Sequence, residues 1–271
     1  MSKNVVITGS TQGIGRALAR EFARRGHSVV LSGRSQENVD KAVAEVSADT
    51  TGKVVGHATD VTDPTGVQGL WDQASADLGS VDLWINNAGV AHTTSDIVDT
   101  DVDDIRTMVT TNMLGTIYGS QVAVRGMAAQ PGGGQVFNML GGGSDGKIRP
   151  NMGVYSATKR GLDLFTQALV KETKDLAGGK VRVGQIRPGL LITEGWLREA
   201  ARAPEQVSSQ RRILNILLDD VDDVAPYLVE RMLTSTKPGD AIAWLTTTRL
   251  TKRFMTPGFA TKHDVLARHG L

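Results

Sequence analysis

Short apolar runs rich in β-branched residues alternate along the chain with longer amphipathic stretches of helical period. The apolar runs lie near Val5 to Thr8, Ser28 to Ser32, Val54 to Ala58, Val81 to Ile85, Gly134 to Asn138, Val181 to Ile186 and Ala241 to Leu245. Most are nearly continuous, as strands buried on both faces require. Amphipathic stretches fill the intervals near 14 to 25, 36 to 48, 64 to 78 and 102 to 126, and another starts around Gly153. Strand and helix in turn predict an α/β chain with about seven parallel strands, doubly wound, with helices on both faces.

Glycines and acids punctuate this pattern. Gly132-Gly133-Gly134 after Pro131 reads as a loop opening a strand, and Gly178-Gly179 as a helix stop. Aspartates crowd Asp96 to Asp104 and Asp219 to Asp223, each group ahead of an apolar helical stretch. Carboxylates there complement helix N-termini without any metal ion.

The 271 residues fit one α/β domain, and 40% hydrophobic with 22% charged residues supplies an ordinary soluble core. Lys+Arg 30 against Asp+Glu 29 gives no electrostatic reason to bind nucleic acid or an anionic membrane. The absence of cysteine removes disulfides, thiolate nucleophiles and cysteine-ligated zinc, and fits the cytoplasm. Met1-Ser2-Lys3-Asn4 runs straight into Val5-Val6-Ile7, so no targeting peptide is expected ahead of the fold, and no apolar run is long enough to span a bilayer. The histidines at 27, 57, 92, 263 and 269 lack metal-ligand spacing on a shared helix, so no metal site is expected.

The first strand ends in Thr8-Gly9-Ser10-Thr11-Gln12-Gly13-Ile14-Gly15, and a helix follows. Glycines between a strand and a helix permit a tight turn and let backbone N–H groups and the positive helix end approach a pyrophosphate. A Walker A loop is excluded, because no lysine follows the final glycine. The reading is a dinucleotide site on a Rossmann-type sheet. Further on, where an NAD enzyme places an acid for the ribose 2′-hydroxyl, stands Ser32-Gly33-Arg34-Ser35. A guanidinium pairs with a 2′-phosphate through charge-assisted hydrogen bonds, so Arg34 predicts NADP(H) over NAD(H).

With Asp60-Val61, Asn86-Asn87-Ala88-Gly89, Asn112, Tyr155-Ser156-Ala157-Thr158-Lys159 and Pro188-Gly189 before Thr193, the chain resembles the short-chain dehydrogenase/reductase family over nearly its whole length. The resemblance implies one dinucleotide-binding and catalytic domain over 1–271, with a substrate-loop insertion near 190–220 and a C-terminal tail at 247–271. It further implies Asp60 and Val61 at the adenine, Asn87, Ala88 and Gly89 along the cofactor, and Ile192 and Thr193 at the nicotinamide amide. It also implies a homodimer or homotetramer.

Tyr155 and Lys159, at i and i+4, share one helix face. A nearby ammonium, joined by the positive nicotinamide of the oxidised complex, is expected to draw the tyrosine pKa down from about 10. Tyr155 then acts as general acid in carbonyl reduction or base in alcohol oxidation. By family analogy Lys159 also holds the ribose, and Asn112 supports a water-linked proton relay.

One element departs from the family pattern. The serine position some thirteen residues before the tyrosine falls on glycine, within Met139-Leu140-Gly141-Gly142-Gly143-Ser144. Ser144 is the nearest hydroxyl, either carried inward by the glycine loop or a turn residue. Together with Leu83-Trp84-Ile85-Asn86-Asn87-Ala88-Gly89 and Phe137-Asn138-Met139, this loop is similar to that of the chlorophyll(ide) b reductase branch and its bacterial relatives. That similarity implies reduction of a formyl group on a chlorin ring.

The segment from Leu190 to Leu218 is apolar, suited to a bulky apolar substrate or to core and oligomer contacts. The basic tail, with Arg249, Lys252, Arg253, Lys262 and Arg268, either meets a substrate carboxylate or serves as exposed solubilising charge. His92 is either a site residue or a loop residue. The expected function is NADPH-dependent reduction of a carbonyl. Its alternatives are a generic small ketone or alcohol dehydrogenase, and a non-catalytic NADP(H)-binding sensor or scaffold.

Overall fold

The computed structural model describes residues 2–271. Among them the strands are β1 (Asn4–Ile7), β2 (Ser28–Gly33), β3 (Val54–Ala58), β4 (Leu83–Asn86), β5 (Gly134–Met139), β6 (Val181–Arg187), β7 (Leu190–Ile192), β8 (Leu218–Asp220) and β9 (Ala241–Ala243). Seven of them form one parallel sheet in the order β3-β2-β1-β4-β5-β6-β9. All seven expected strands are present in it. The pair β7–β8 forms a separate two-stranded ribbon that the apolar pattern does not reveal.

The helices are α1 (Gly13–Arg24), α2 (Gln36–Ser47), α3 (Pro64–Leu78), α4 (Val102–Met108), α5 (Gly115–Ala129), α6 (Gly153–Thr173), α7 (Glu194–Arg202), α8 (Pro204–Ser209), α9 (Arg211–Leu217), α10 (Val221–Thr234), α11 (Thr247–Met255), α12 (Phe259–Lys262) and α13 (Val265–Arg268). Their starts follow from capping chemistry. Ser35 accepts the Asn38 N–H ahead of α2, and Asp63 accepts the Thr65 N–H ahead of α3, which opens on Pro64. The helix expected over 102–126 is interrupted by a π segment, Val109–Leu114, between α4 and α5. Such a bulge rotates the residues after it relative to those before it, and bulges of this kind recur at functional sites.

Successive residues of each strand bury on opposite sides of the sheet. Val5, Ile7, Leu31 and Ile85 pack with Leu18, Phe22 and Leu228, which belong to α1 and α10. Val6, Val30, Trp84 and Val136 pack with Leu70, Trp71 and Met127, which belong to α3 and α5. Both faces are therefore covered, as a parallel sheet needs. The strand order reverses between β1 and β4, and ligands of open α/β sheets bind in the crevice at the carboxyl ends of the strands there.

Two expectations about charge change in the structure. Asp101 does cap α4, accepting from Asp103 N and Asp104 N, and Asp222 and Asp223 lie in the first turn of α10. Asp219, however, is buried and accepts from both Nη atoms of Arg253 at 3.0 and 2.7 Å. The tail is only in part free charge: Lys252 and Lys262 are exposed, but Arg253 is buried, Arg249 lies 3.7 Å over the Trp244 ring, and Arg268 pairs with Asp220. Val265 and Leu266 cover Ile192 and Leu218, so the tail roofs the β7–β8 ribbon. No helix among the described residues is long and apolar enough to cross a membrane.

Candidate active site

The glycine loop leaves the carboxyl end of β1, and side chains from neighbouring strands fix its path. Thr8 Oγ1 accepts the N–H groups of Asn87 at 3.0 Å and Ala88 at 3.1 Å, and Asn87 Nδ2 donates to the carbonyls of Thr8 and Gly9. Ser10 Oγ donates to Ile7 O and accepts the Ser32 N–H, tying the loop to β2. A β-carbon on Gly9 would lie 2.7 Å from Ala88 Cα, and one on Gly15 would strike the Asn87 amide, so the loop closes only with glycine at both places. Gly9 and Gly13 also hold positive φ, at 62° and 55°. The side chains of Thr8, Ser10 and Asn87 thus shape the loop; Glu194 Oε2 takes the Gly13 N–H at 2.9 Å, which leaves the Ile14 and Gly15 N–H groups at the start of α1 as the anion-binding surface.

Arg34 follows β2 and is exposed. It lines a cavity of about 520 Å³ with Thr11, Gln12, Ser35, Asn38 and Arg198. No carboxylate lines it, so the donor set fits a phosphate monoester. Asp60 ends the turn after β3, where its Oδ1 accepts from the Thr62 N–H and hydroxyl. Val61 packs against Gly115. Pro188 and Gly189, the latter at φ 88°, turn the chain from β6 into β7, and Thr193 then caps α7 by accepting the Trp196 N–H. Thr193 Cγ2 would lie 3.2 Å from a β-carbon on Gly13, so the Pro188 to Thr193 segment borders the glycine loop. Ile192 turns its side chain into the tail-covered cluster, leaving only its backbone for a ligand.

Tyr155 and Lys159 lie on α6 at the carboxyl end of β5. Lys159 is buried and donates from Nζ to Met139 O at 3.1 Å, with Nζ 5.8 Å from the Tyr155 ring centroid. The Tyr155 hydroxyl rests on Gly141, where a β-carbon would collide with it. The structure reverses the expected depression of the tyrosine pKa. Burial pushes Tyr155 up to about 12 and pulls Lys159 down to about 8. Desolvation disfavours the charged form of each, and the second positive charge on which the expectation relied belongs to the oxidised complex.

Asn112 lies in the π segment, fully buried. Its Oδ1 accepts the Val90 N–H at 2.8 Å, and its Nδ2 donates to Val90 O and to Thr158 Oγ1. It therefore joins the loop after β4 to the helix that carries Tyr155 and Lys159. A β-carbon on Gly89 would sit 3.2 Å from Asn112 Oδ1 and 3.6 Å from Lys159 Nζ, so these three residues meet.

Ser144 is buried, with its N–H donated to Gly141 O and its carbonyl accepting from Arg160 Nη1. Among the described residues its hydroxyl makes no hydrogen bond. Ser156 Oγ, packed where a β-carbon on Gly143 would fall, is also buried without a partner. His92 lies between Asp104 and Glu199, at 3.5 and 3.8 Å.

Sequence reasoning missed a polar network beneath the site. Asn86 Nδ2 donates to Asn138 Oδ1 and Ser120 Oγ, Trp84 Nε1 donates to Asn86 Oδ1, and Asn138 Nδ2 donates to Thr166 Oγ1. It cross-links β4, β5, α5 and α6. Its signal is Asn86 and Asn138, polar residues inside apolar runs that the sheet register places side by side. Arg198 had no sequence signal at all.

A model of the family described as short chain dehydrogenase matches residues 3–203. The chain belongs to that family. It is 36% identical over 266 residues to the "Probable chlorophyll(ide) b reductase NYC1, chloroplastic" of Arabidopsis thaliana, a match covering 92% of this chain and 51% of that protein. It is 36% identical over 228 residues to the chlorophyll(ide) b reductase NOL, chloroplastic, of rice, covering 83% of this chain and 65% of that protein. The chain thus spans about half to two thirds of these relatives' length, and lies in their branch of the short-chain dehydrogenases. A short chain dehydrogenase from Burkholderia cenocepacia J2315, solved in complex with NADP, shares the fold at TM-score 0.75 and 24% identity, over 89% of this chain and 95% of that one.

Proposed function

We propose that this short-chain dehydrogenase is an NADPH-dependent carbonyl reductase for a bulky apolar substrate, a chlorophyll b-type formyl group being the sharpest version. The observation that carries the reading is the Tyr155 hydroxyl on Gly141 with Lys159 beneath it, at the carboxyl edge of the sheet and bordered by the glycine loop. Bound NADPH would supply the hydride. The glycine loop and the end of α1 would hold its pyrophosphate, and Arg34 its 2′-phosphate.

Tyr155, which burial keeps protonated in the ground state, donates the proton that the developing alkoxide takes. Lys159, held by Met139 O, places its ammonium beside the phenolate that Tyr155 becomes on giving up its proton. Asn112 fixes the loop after β4 against α6. Ser144 is the proposed substitute for the family serine. The names of the chlorophyll(ide) b reductases support the substrate class, as do Trp196, Leu197 and Leu214, partly buried beside β7–β8. Val109, Leu114 and Leu164, exposed on the π segment and α6, suit a homo-oligomer. The cysteine-free composition fits the cytoplasm, the compartment we propose, whereas the relatives are named chloroplastic.

The test is loss of NADPH absorbance with a panel of aldehydes and ketones, including a formyl chlorin and small cyclic ketones, for the wild type and Tyr155→Phe. Turnover should drop by about two to four orders of magnitude in the variant while NADPH binding persists. Retained turnover would refute the role of Tyr155. Tight NADPH binding by the wild type without turnover on any carbonyl would favour a sensor.

A further inference from the structure

The helix α7 begins the segment after β7, yet its first turn is fastened to the nucleotide loop. Glu194 Oε2 accepts the Gly13 N–H at 2.9 Å, and Oε1 accepts from Arg16 Nη2 at 2.7 Å. Further along, Glu199 accepts the Thr93 N–H and pairs with Arg202. α7 therefore bridges the start of α1 and the loop after β4.

Arg198 stands four residues after Glu194, on the same helix face. Its guanidinium leans back toward the helix start, with Nη2 3.8 Å from where a β-carbon on Gly195 would lie, the usual lean of a long helical side chain. That posture brings it to the cavity of about 520 Å³ that Arg34 also lines. Among the described residues neither arginine has an ion-pair partner, because both oxygens of Glu194 are taken and Glu199 is turned to Arg202. Two guanidiniums facing one cavity repel until an anion lies between them, and a phosphate monoester carries nearly two negative charges at neutral pH. The remaining walls are Ser35 and Asn38, at the start of α2 beyond the end of β2, and Thr11 and Gln12 of the glycine loop. The β2–α2 side is the ribose side of a dinucleotide, and Thr11 and Gln12 join it to the loop that borders the pyrophosphate.

We infer that Arg198 is a second arginine for the 2′-phosphate of NADPH, so that a helix of the substrate segment takes part in choosing the cofactor. The inference rests on the NADPH reading of Arg34 and extends it. A 2′-phosphate gripped from both sides clamps α7 to the nucleotide, and a cofactor lacking that phosphate leaves α7 held by Glu194 and Glu199 alone.

The test is calorimetric binding of adenosine 2′,5′-bisphosphate and adenosine 5′-monophosphate to the wild type, Arg34→Ala and Arg198→Ala. Because Arg198 is exposed, the variant should keep the wild-type melting temperature. Each substitution should weaken the bisphosphate about ten- to a hundredfold and leave the monophosphate unchanged. Hydrogen exchange in α7 should slow when NADPH binds the wild type, and this protection should be lost in Arg198→Ala. Equal weakening of both nucleotides would put Arg198 on the 5′-phosphate and overturn the inference, as would an unchanged bisphosphate affinity with a raised KM for substrate. An effect of Arg34→Ala alone would leave the NADPH reading standing and remove only the role of Arg198. A wild type that fails to discriminate the two nucleotides would remove both.

Discussion

A β-carbon on Gly141 would collide with the hydroxyl of Tyr155. The phenol occupies the space that any side chain at that position would need. By contrast, a β-carbon on Gly142, thirteen residues before Tyr155, would meet only Met152 Cε at 2.8 Å, the far end of a flexible side chain. Introducing serine at the two positions should therefore have opposite results. Gly141→Ser should lower kcat by about a hundredfold by displacing Tyr155, whereas Gly142→Ser should stay within a few-fold of wild type. Steady-state kinetics on one carbonyl substrate checks both, and equal losses would deny Gly141 its special place.

Burial of Lys159 makes stability depend on pH. Its folded pKa of about 8 lies below the ordinary 10.5, so between these values the unfolded chain keeps a proton that the folded chain has released, and stability rises with pH. Tyr155 acts oppositely between 10.0 and about 12, where the folded chain keeps a proton that the unfolded one loses. Lys159→Met should raise the stability of the cofactor-free protein at pH 7 by about 1 to 3 kcal/mol while abolishing turnover. The Tm gap between variant and wild type should shrink from pH 7 to pH 10, and a constant gap would contradict a buried ammonium.

The network joining Asn86, Asn138, Ser120 and Thr166 lies wholly inside the protein. Asn138→Leu would strand Asn86 Nδ2 and Thr166 Oγ1 without one of their partners. The expected loss is about 2 to 4 kcal/mol, or roughly 5 to 12 °C in Tm. A thermal melt within 2 °C of wild type would show that the network is dispensable, on the same scale of about 1 kcal/mol.

Asp219 accepts from Arg253, and its Oδ2 also accepts from Trp244 Nε1 at 2.7 Å. Removing one partner of a buried pair costs about 3 to 5 kcal/mol, because the other charge remains buried. Arg253→Met should accordingly loosen the tail first, seen as faster hydrogen exchange at Val265 and Leu266 and a changed Trp244 fluorescence. Unchanged exchange there would place the tail's anchorage elsewhere.

The main sheet was legible because strands buried on both faces must be apolar nearly throughout, as the central β1, β2 and β4 are; the edge strands β3 and β9 are less buried and follow from the alternation of runs and helices. Tyr155, Lys159 and the glycine loop could be read because their spacing is local, whereas Asn112 was expected from the family resemblance alone. The ribbon β7–β8 was not: each strand is three residues long, too short for any period to register. Asp219 and Arg253 were misread for a related reason. Each gains its meaning from a partner far along the chain, and nothing within one helical turn distinguishes such an arginine from a solvated one. The pKa directions at Tyr155 and Lys159 also escaped, since burial depends on tertiary packing and the i, i+4 spacing speaks only of proximity.

The tail that roofs β7–β8 has a bearing on how this protein can be modified. Ile192 and Leu218 border the segment proposed to close over substrate, yet the residues that keep them dry, Val265 and Leu266, come from α13. The two stretches behave as one cassette. A graft of the 190–220 segment from a relative with other substrate preferences would need its matching C-terminus transplanted with it, and a graft without that roof would expose an apolar floor and fail before its selectivity could be read.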